Sequence, residues 1–246
     1  MYIIKSENYS GLFDEKTNTA YVKNKSFKFP INNIFEPGDK IKLDGNSFII
    51  LRPDPFFFNE VSGRMTQTII PSDIAYIIYS GAILPGKKIL ESGIGIGNLS
   101  YSILNFIGSS GHLTTVDINS EFIENARKNV SKFIDIENWE IINLDIKTCK
   151  FNELFDTIIL DMPDPWNAIG NVKKNIKNGG FLITYSPNFN QAEKNVIEMK
   201  NNSFYIVETV EIMKRNIIVR ENATRPDNNV IGHTAFITFS IKGNTI

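Results

Sequence analysis

The chain has 246 residues, 42% of them hydrophobic and 22% charged, which is the balance of a globular protein with a substantial core. Its 26 basic and 27 acidic residues nearly cancel, so there is no global basic field for nucleic acid, and an RNA site must be a local patch. A single cysteine, Cys149, excludes an internal disulfide, and the apolar runs are too short to cross a bilayer. We therefore expect a cytoplasmic protein without a membrane partner and, with only two histidines and one cysteine, without a metal centre.

Residues 1–62 lack a helical period and are expected to form a small antiparallel β domain. Short alternating segments, separated by turn residues, lie at 19–22, 26–29, 40–43 and 47–51. The proline-rich stretch 52–55 then forms a rigid exit, and a second domain covers residues 63–246. Three lysines are expected to form either a basic edge or a row of solvated side chains that keeps an edge strand from pairing with another chain: Lys23, Lys25 and Lys28.

The stretch 88–99 predicts a buried strand, a tight turn and the start of a helix. Apolar residues run into an acid, Glu91, and glycine then occupies every second position: Gly93, Gly95 and Gly97. Such glycines permit backbone conformations closed to other residues and let a ligand approach. A dinucleotide-binding turn needs glycine at the position of Asn98, so a dehydrogenase is disfavoured. The pattern Glu-x-Gly-x-Gly-x-Gly resembles motif I of S-adenosylmethionine (SAM) methyltransferases, which implies SAM as the cofactor.

Helical and extended segments alternate from residue 72 onwards, as in a doubly wound α/β sheet. The expected helices are 72–81, 99–107, 120–133, 166–177 and 190–202. The expected strands are 88–91, 112–117, 140–145, 155–161, 181–186, 203–213 and 233–242. No helix separates the last two strands, which should therefore pair antiparallel, and a basic segment from Lys214 to Arg225 lies between them.

Four successive strands are expected to end in acids, at the edge where open parallel sheets bind ligands: Glu91, Asp117, Asp145 and Asp161. Each acid alone is more often a cap or turn residue, but four at one sheet edge beside a glycine turn favour a ligand site. For SAM, Asp117 is placed to accept hydrogen bonds from the ribose hydroxyls, and Asp145 is placed to contact the adenine. Glu91 complements the cationic methionine end.

The stretch 161–166, Asp-Met-Pro-Asp-Pro-Trp, follows the strand that ends at Asp161. Its two prolines remove backbone donors and stiffen the loop, which makes either a structural turn or a rigid platform for the acid and for Trp166. An indole in that position is suited to stack on a base. Basic side chains of the segment from Lys214 to Arg225 are suited to bind RNA phosphates, although a solvated loop fits equally well.

Together these stretches resemble the tRNA adenine-N1 methyltransferases of the TrmI type. The matching stretches are Arg64-Met65-Thr66-Gln67, Pro71-Ser72-Asp73, the glycine turn, Leu160 to Trp166, Tyr185-Ser186-Pro187-Asn188 with Gln191, Arg225-Pro226 and Gly232-His233-Thr234-Ala235-Phe236. The resemblance implies a class I methyltransferase, with a Rossmann-like seven-stranded sheet beside the small N-terminal β domain. It also implies that a homotetramer transfers a methyl group from SAM to N1 of a T-loop adenine of tRNA, at position 58 with position 57 as a second candidate.

Residue roles follow from the same resemblance. It implies Asp161 and Tyr185 as the catalytic residues at the target base. The implied SAM-binding residues are Gln67, Glu91, Gly93, Gly95, Gly97, Asn98, Leu99, Asp117, Asp145 and Asp161. The implied tRNA-binding residues are Arg64, Trp166, Arg215, Arg220 and Arg225.

The chain departs from the family pattern at positions where side-chain chemistry matters. Ile94 and Ile96 stand where threonine and serine are usual, Ile70 stands where a tyrosine or histidine faces the target base, and Asp117 replaces a glutamate. Two alternatives therefore stay open: a SAM methyltransferase with another acceptor, and a catalytically weak RNA-binding partner subunit. His233 is interpreted as structural, because a lone histidine in a strand is more often packed or hydrogen-bonded than catalytic.

Overall fold

The computed structural model describes residues 1–62 and 68–243, and two large β-sheets dominate it. The N-terminal strands are β1 Tyr2–Lys5, β2 Ser10–Asp14, β3 Thr19–Val22, β4 Lys25–Lys28, β5 Lys40–Leu43 and β6 Asn46–Leu51. They form one sheet in the order β4-β3-β2-β1-β6-β5, and all neighbouring strands are antiparallel. The expected antiparallel sheet at the N-terminus is confirmed.

The sequence pattern misses β1 and β2. Both strands are short, and β2 carries Gly11, a residue that is uncommon inside strands. A Cβ atom on Gly11 would lie 2.3 Å from the carbonyl oxygen of Tyr21 in the neighbouring strand. The glycine is therefore required by the close approach of two backbones, and the alternation of side chains is interrupted at this position.

A short helix, α1 Pro55–Val61, follows the N-terminal sheet where the sequence predicts only a rigid exit. The side chain of Asp54 caps it by accepting a hydrogen bond from the backbone N–H of Phe56 at 2.7 Å. Phe58 is fully buried and stacks on Tyr101, with the ring centroids 4.5 Å apart. This contact attaches α1 to the helices that cover the larger sheet.

The larger sheet contains β7 Lys88–Ser92, β8 His112–Asp117, β9 Trp139–Asn143, β10 Phe155–Leu160, β11 Ile176–Ser186 and β12 Phe204–Val210. A two-stranded hairpin follows, with β13 Ile217–Ile218 and β14 Arg225–Pro226, and β15 Phe236–Lys242 returns to the larger sheet. The order of that sheet is β12-β15-β11-β10-β7-β8-β9. Strands β7 to β11 run parallel, whereas β15 lies antiparallel between β11 and β12. The seven-stranded Rossmann-like sheet with its antiparallel end is confirmed.

The helices of this part are α2 Pro71–Ser80, α3 Asn98–Ile107, α4 Ser120–Val130, α5 Trp166–Val172 and α6 Phe189–Asn201. Asparagines start two of them, because Asn119 accepts from two backbone N–H groups of α4 and Asn188 accepts from one of α6. The central strands are apolar on both faces, as in parallel sheets covered by helices on both sides. In the described ranges, no helix is long and apolar enough to cross a membrane.

The start of β11 differs from the expectation. The sequence predicts a helix over 166–177, a turn at 178–180 and a strand from 181, but α5 ends at Val172 and β11 begins at Ile176. The pairing with β10 shifts between the Phe155–Ile176 and Thr157–Phe181 partners, and Gly179 has φ +76°. The glycines therefore form a bulge inside the strand and not the turn before it.

Two strands also end earlier than the sequence predicts. The strand expected to end at Asp145 ends at Asn143, and Asp161 is the first residue after β10. Both acids therefore sit on loops directly beyond the sheet edge.

Gly93 joins the ends of two central strands, β7 and β10. Its φ is +96°, and a Cβ atom on it would lie 1.7 Å from the carbonyl oxygen of Asp161. The backbone N–H of Asp161 donates to the carbonyl oxygen of Ser92 at 2.8 Å. The glycine turn and Asp161 are thus held together by backbone contacts that only glycine permits.

We expect Gly93→Ala to destabilise the fold more than Gly38→Ala. Gly38 has a similar φ of +104° but nothing within 4 Å of its Cβ position. Both substitutions meet the left-handed backbone penalty of about 1–2 kcal/mol, and only Gly93→Ala adds a clash of about 1–3 kcal/mol. Urea unfolding of the two variants measures the difference, and equal losses would show that the contact with Asp161 is not a constraint.

Candidate active site

A cleft of about 760 Å³ opens at the carboxyl ends of the parallel strands, where open sheets of this kind bind ligands. Six residues expected from the sequence meet in its lining: Gly93, Gly95, Asp117, Asp145, Asp161 and Tyr185. The loop after β9 and the first turn of α6 supply other parts of its wall. One cleft therefore unites three of the four strand-end acids with the glycine turn and the tyrosine.

Asp117 is fixed by two backbone donors. Its Oδ2 accepts from the N–H of Ile94 and its Oδ1 from the N–H of Asn119, each at 2.8 Å. The side chains of Ile94 and Ile96 are buried, with 3% and 1% of their surface exposed. The glycine turn therefore offers its backbone to the cleft, and the hydroxyls usual at these two positions are replaced by apolar contacts inside the protein.

Glu91 lies beneath the cleft and is fully buried. Its Oε2 accepts from the hydroxyls of Ser100 at 2.5 Å and Thr115 at 2.8 Å, whereas its Oε1 has no hydrogen-bond partner. Burial raises the pKa of Glu91 to about 8, and the negative charges of Asp161 and Asp117 add to the effect. An orphaned carboxylate oxygen next to two further acids is a place where a cation is stabilised.

This charge pattern fits the cofactor that the sequence implies. Within residues 1–62 and 68–243, Glu91, Asp117 and Asp161 form no ion pair with a basic side chain. SAM brings a sulfonium and an ammonium group, and cations of this kind compensate carboxylates that are partly removed from water. We propose that Asp117 and the turn at Gly93 and Gly95 would hold SAM, and that Glu91, beneath the cleft lining, would act on it through its charge.

Asp161 directly follows β10, Tyr185 is the second-last residue of the adjacent strand β11, and both line the same cleft. Burial raises the pKa of Asp161 to about 7, and repulsion from Asp117 adds to this shift. The hydroxyl of Tyr185 donates to Oδ2 of Asp73 at 2.9 Å. Burial, followed by the negative charge of Asp73, raises the pKa of Tyr185 above its usual range, so the hydroxyl keeps its proton.

Two residues of the cleft wall received no role from the sequence. Lys147 lies at the rim, with its Nζ 3.6 Å from Oδ2 of Asp145 and 3.3 Å from Oδ2 of Asp164. Gln191 donates from Nε2 to the carbonyl oxygen of Pro163 at 3.1 Å, and its buried Oε1 has no partner. The sequence could have indicated Lys147, because it stands two residues after Asp145, an acid expected at a strand end.

Several residues predicted to bind SAM do not line this cleft. A Cβ on Gly97 would lie 2.9 Å from Val130 of α4, Asn98 donates to the carbonyl oxygen of Ile69 at 2.7 Å, and Leu99 is buried in the core. These residues hold the turn and α3 in place. Arg64 and Gln67 lie outside the described residues. No group of three or more His, Cys, Asp or Glu in the described ranges is arranged to hold a metal ion.

Those residues expected to bind tRNA that the structure describes also lie apart from the cleft lining. Trp166 begins α5, and the ammonium of Lys194 lies over its ring, 4.8 Å from the centroid. The arginines near the β13–β14 hairpin are exposed: Arg215, Arg220 and Arg225. Two of them donate one hydrogen bond each to a nearby carbonyl, which leaves most of their donors free for solvent or phosphate.

His233 bridges two acceptors beside the cleft. Its Nε2 lies 2.7 Å from the carbonyl oxygen of Pro187, a residue of the cleft wall, and its Nδ1 contacts the carboxylate of Glu211. Because neither a carbonyl nor a carboxylate donates, both ring nitrogens carry protons. The contact with Glu211 raises the pKa of His233, with the Pro187 carbonyl as the second cause. The ring is a charged structural tie, in line with its interpretation from the sequence.

The parallel sheet with its antiparallel end, the glycine turn and the acids at the strand ends define a SAM-dependent methyltransferase with a Rossmann-like fold. Among solved structures, a SAM-dependent O-methyltransferase from Thermotoga maritima matches with a TM-score of 0.85 at 26% identity. The match covers 100% of this chain and 93% of that one.

The chain belongs to the family described as the tRNA methyltransferase complex GCD14 subunit, whose model matches residues 47–225. A second model, the FKBP-like N-terminal domain, matches residues 2–51. The chain is 32% identical to the Methanocaldococcus jannaschii protein named tRNA (adenine(57)-N(1)/adenine(58)-N(1))-methyltransferase TrmI, over 94% of this chain and 93% of that protein. The solved tRNA (m1A58) methyltransferase TrmI from Aquifex aeolicus matches with a TM-score of 0.81 and 27% identity, over 100% of this chain and 98% of that one.

We expect SAM binding near pH 7 to release protons. The pKa values of Asp161 and Glu91 are raised to about 7 and about 8 in the free protein, and a bound cation lowers both because it favours the carboxylate form. SAM affinity should therefore rise with pH between about 6 and 8. Calorimetry in buffers of different ionisation enthalpy counts the protons released.

S-Adenosylhomocysteine is the matched control, because its sulfur is neutral while the rest of the molecule is shared. It should release fewer protons than SAM, and Asp161→Asn should reduce the release by SAM. The same proton count for both ligands would contradict the assignment of these acids to the cationic end of the cofactor.

Proposed function

We propose that this chain methylates N1 of an adenine in the tRNA T-loop, at position 58 with position 57 as a second candidate. The observation that carries the proposal is the pairing of Asp161 and Tyr185 at the ends of adjacent strands, inside the cleft that fits SAM. The names of the relatives support the substrate, because the M. jannaschii protein is named for both positions and the A. aeolicus protein for position 58.

The chemistry needs positioning more than proton removal. SAM supplies an activated methyl group, and adenine N1 already carries a lone pair at neutral pH, so no general base has to create the nucleophile. The protein must hold N1 in line with the methyl–sulfur bond. Because N1 is paired or recessed in folded tRNA, the base must first be turned out into the cleft.

Asp161 is suited to hold the base. Its carboxylate accepts from the N6 amino group, which orients N1 towards the methyl group. As the methyl group moves, the electron pair of the carbon–sulfur bond stays on sulfur and the positive charge passes to the adenine. A carboxylate at N6 stabilises that charge, and it does so without reorganisation because the Ser92 and Gly93 backbone fixes the loop.

We expect Asp161→Ala and Asp161→Asn to leave SAM affinity within a few-fold of the wild type and to lower turnover by about 100-fold or more. Glu153→Gln is the control, since Glu153 lies before the opposite end of the same strand, where it pairs with Lys88. Single-turnover methylation and SAM calorimetry give the two readouts. Unchanged turnover in the Asp161 variants would remove this residue from the mechanism.

We further propose that Arg215, Arg220 and Arg225 bind tRNA phosphates. Each phosphate contact releases a counterion, so each arginine-to-glutamine change should reduce the slope of log affinity against log salt by about 1. Lys16→Gln, an exposed change in the turn between β2 and β3, should leave the slope unchanged. The slope is measured by filter binding between low and moderate salt, and wild-type slopes in all three variants would make this segment a solvated loop.

Two other functions compete, and one experiment separates them. The chain is incubated with labelled SAM and unmodified tRNA, which is then digested and analysed by mass spectrometry. N1-methyladenosine in the T-loop supports the proposal. SAM binding without any label in the RNA would support the methyltransferase with another acceptor, and the absence of SAM binding would support the RNA-binding partner subunit.

The assembly and location are part of the same proposal. We infer a homotetramer in the cytoplasm, with residues 1–62 as an N-terminal domain and residues 63–246 as the methyltransferase domain. Support for self-association comes from exposed apolar side chains on edge strand β12, where Tyr205 is 72% exposed and Val207 is 47% exposed. Multi-angle light scattering of the full chain tests the stoichiometry.

A further inference from the structure

A buried carboxylate stands behind the tyrosine of the active site. Asp73 lies in the first turn of α2 and has no exposed surface. Its Oδ2 accepts from the hydroxyl of Tyr185 at 2.9 Å, and its Oδ1 accepts from the hydroxyl of Ser72 at 3.3 Å. Asp73 is not part of the cleft lining, whereas Tyr185 is. Burial of a carboxylate away from solvent is destabilising unless hydrogen bonds or charges compensate for the lost water.

Two features make this carboxylate stable in its place. It sits at the N-terminal end of a ten-residue helix, where the helix dipole favours negative charge. It also receives a hydrogen bond on each oxygen. The arrangement therefore holds a fixed acceptor against one atom of the active site, the Tyr185 hydroxyl.

This contact decides which way the Tyr185 hydroxyl can bond. A hydroxyl has one proton to donate and two lone pairs to accept with. Because the proton is committed to Asp73, only the lone pairs remain for a ligand in the cleft. The Tyr185 oxygen then acts as a hydrogen-bond acceptor, as does the carboxylate of Asp161 just beyond the neighbouring strand. This wall of the cleft therefore binds hydrogen-bond donors.

An acceptor at this position suits the chemistry of an adenine that reacts at N1. A hydroxyl proton pointing at N1 would occupy the lone pair that has to attack the methyl group. An acceptor leaves N1 free and engages the second N–H of the N6 amino group, while Asp161 takes the first. A base with oxygen at C6 would instead meet two acceptors and be repelled.

We propose that Asp73 is a positioning residue that fixes Tyr185 as a hydrogen-bond acceptor for the exocyclic amino group of the target base. The inference rests on the proposed function, since it takes adenine as the base in the cleft. It adds a residue that acts through Tyr185 and a reason for the selectivity of the pocket. Asp73 itself touches neither the base nor the cofactor.

A double-mutant cycle tests the role. Asp73→Asn keeps the size of the side chain but offers an amide N–H that can turn the tyrosine proton towards the cleft. We expect Asp73→Asn and Tyr185→Phe each to lower kcat by about 10- to 100-fold, the range of one charge-assisted hydrogen bond. In the Tyr185→Phe background, Asp73→Asn should cost less than twofold, with SAM affinity unchanged throughout. Independent, multiplying losses would mean a merely structural role and overturn the proposal.

A second cycle uses the substrate and needs no variant of Asp73, so it holds even if that carboxylate proves necessary for folding. The target adenosine of the tRNA is replaced by purine riboside, which keeps N1 but lacks the amino group. Tyr185→Phe should lower kcat on the adenosine substrate and have no further effect on the purine substrate. An equal loss on both substrates would overturn the assignment of Tyr185 as the acceptor.

The outcomes also separate this inference from the function on which it rests. If the wild-type chain methylates no T-loop adenine, the proposed function fails and the inference fails with it. If the wild type is active, the function stands: independent effects in the first cycle remove the role of Asp73, and independent effects in the second remove the role of Tyr185 as acceptor and, with it, that of Asp73.

Discussion

The site depends on one steric constraint, the contact between the backbone of Gly93 and that of Asp161. A Cβ on the glycine would lie 1.7 Å from the Asp161 carbonyl oxygen, and the Asp161 N–H is bonded to Ser92. These contacts hold the glycine turn after β7 and the loop after β10 at a fixed separation. Methyl transfer would require such a fixed distance between the two loops, because one would hold the methyl donor and the other the acceptor base.

The acidic side chains in and beneath the cleft would favour a cationic ligand. The cleft and the layer beneath it collect Glu91, Asp117, Asp145 and Asp161, and only Asp145 meets a basic side chain in the described residues. Burial of like charges is unfavourable in the free protein and becomes favourable when a cation enters. Burial and these neighbouring charges raise the pKa values of Glu91 and Asp161, and the same arrangement would favour a sulfonium ligand over a neutral one.

The sequence was sufficient to predict an α/β sheet that ends in an antiparallel pair, the glycine turn and acids at or just beyond the strand ends, because apolar periodicity and turn residues are local signals. It could not predict that β11 starts at Ile176, since the pairing across a bulge depends on the neighbouring strand. It also could not reveal that Asp73 meets Tyr185, 112 positions along the chain. Resemblance supplied Tyr185, whereas the partner that sets its hydrogen bonding emerged only from the packing of α2 against the sheet.

The burial of Ile94 and Ile96 bears on how their difference from the family pattern is interpreted. The cleft meets Gly93 and Gly95, on either side of Ile94, while both isoleucine side chains pack inside the protein. Because these side chains lie inside, a hydroxyl at either position would need a hydrogen-bond partner within the protein and not in the cleft. The absence of threonine or serine from the turn is therefore, by itself, a poor marker of a silent enzyme.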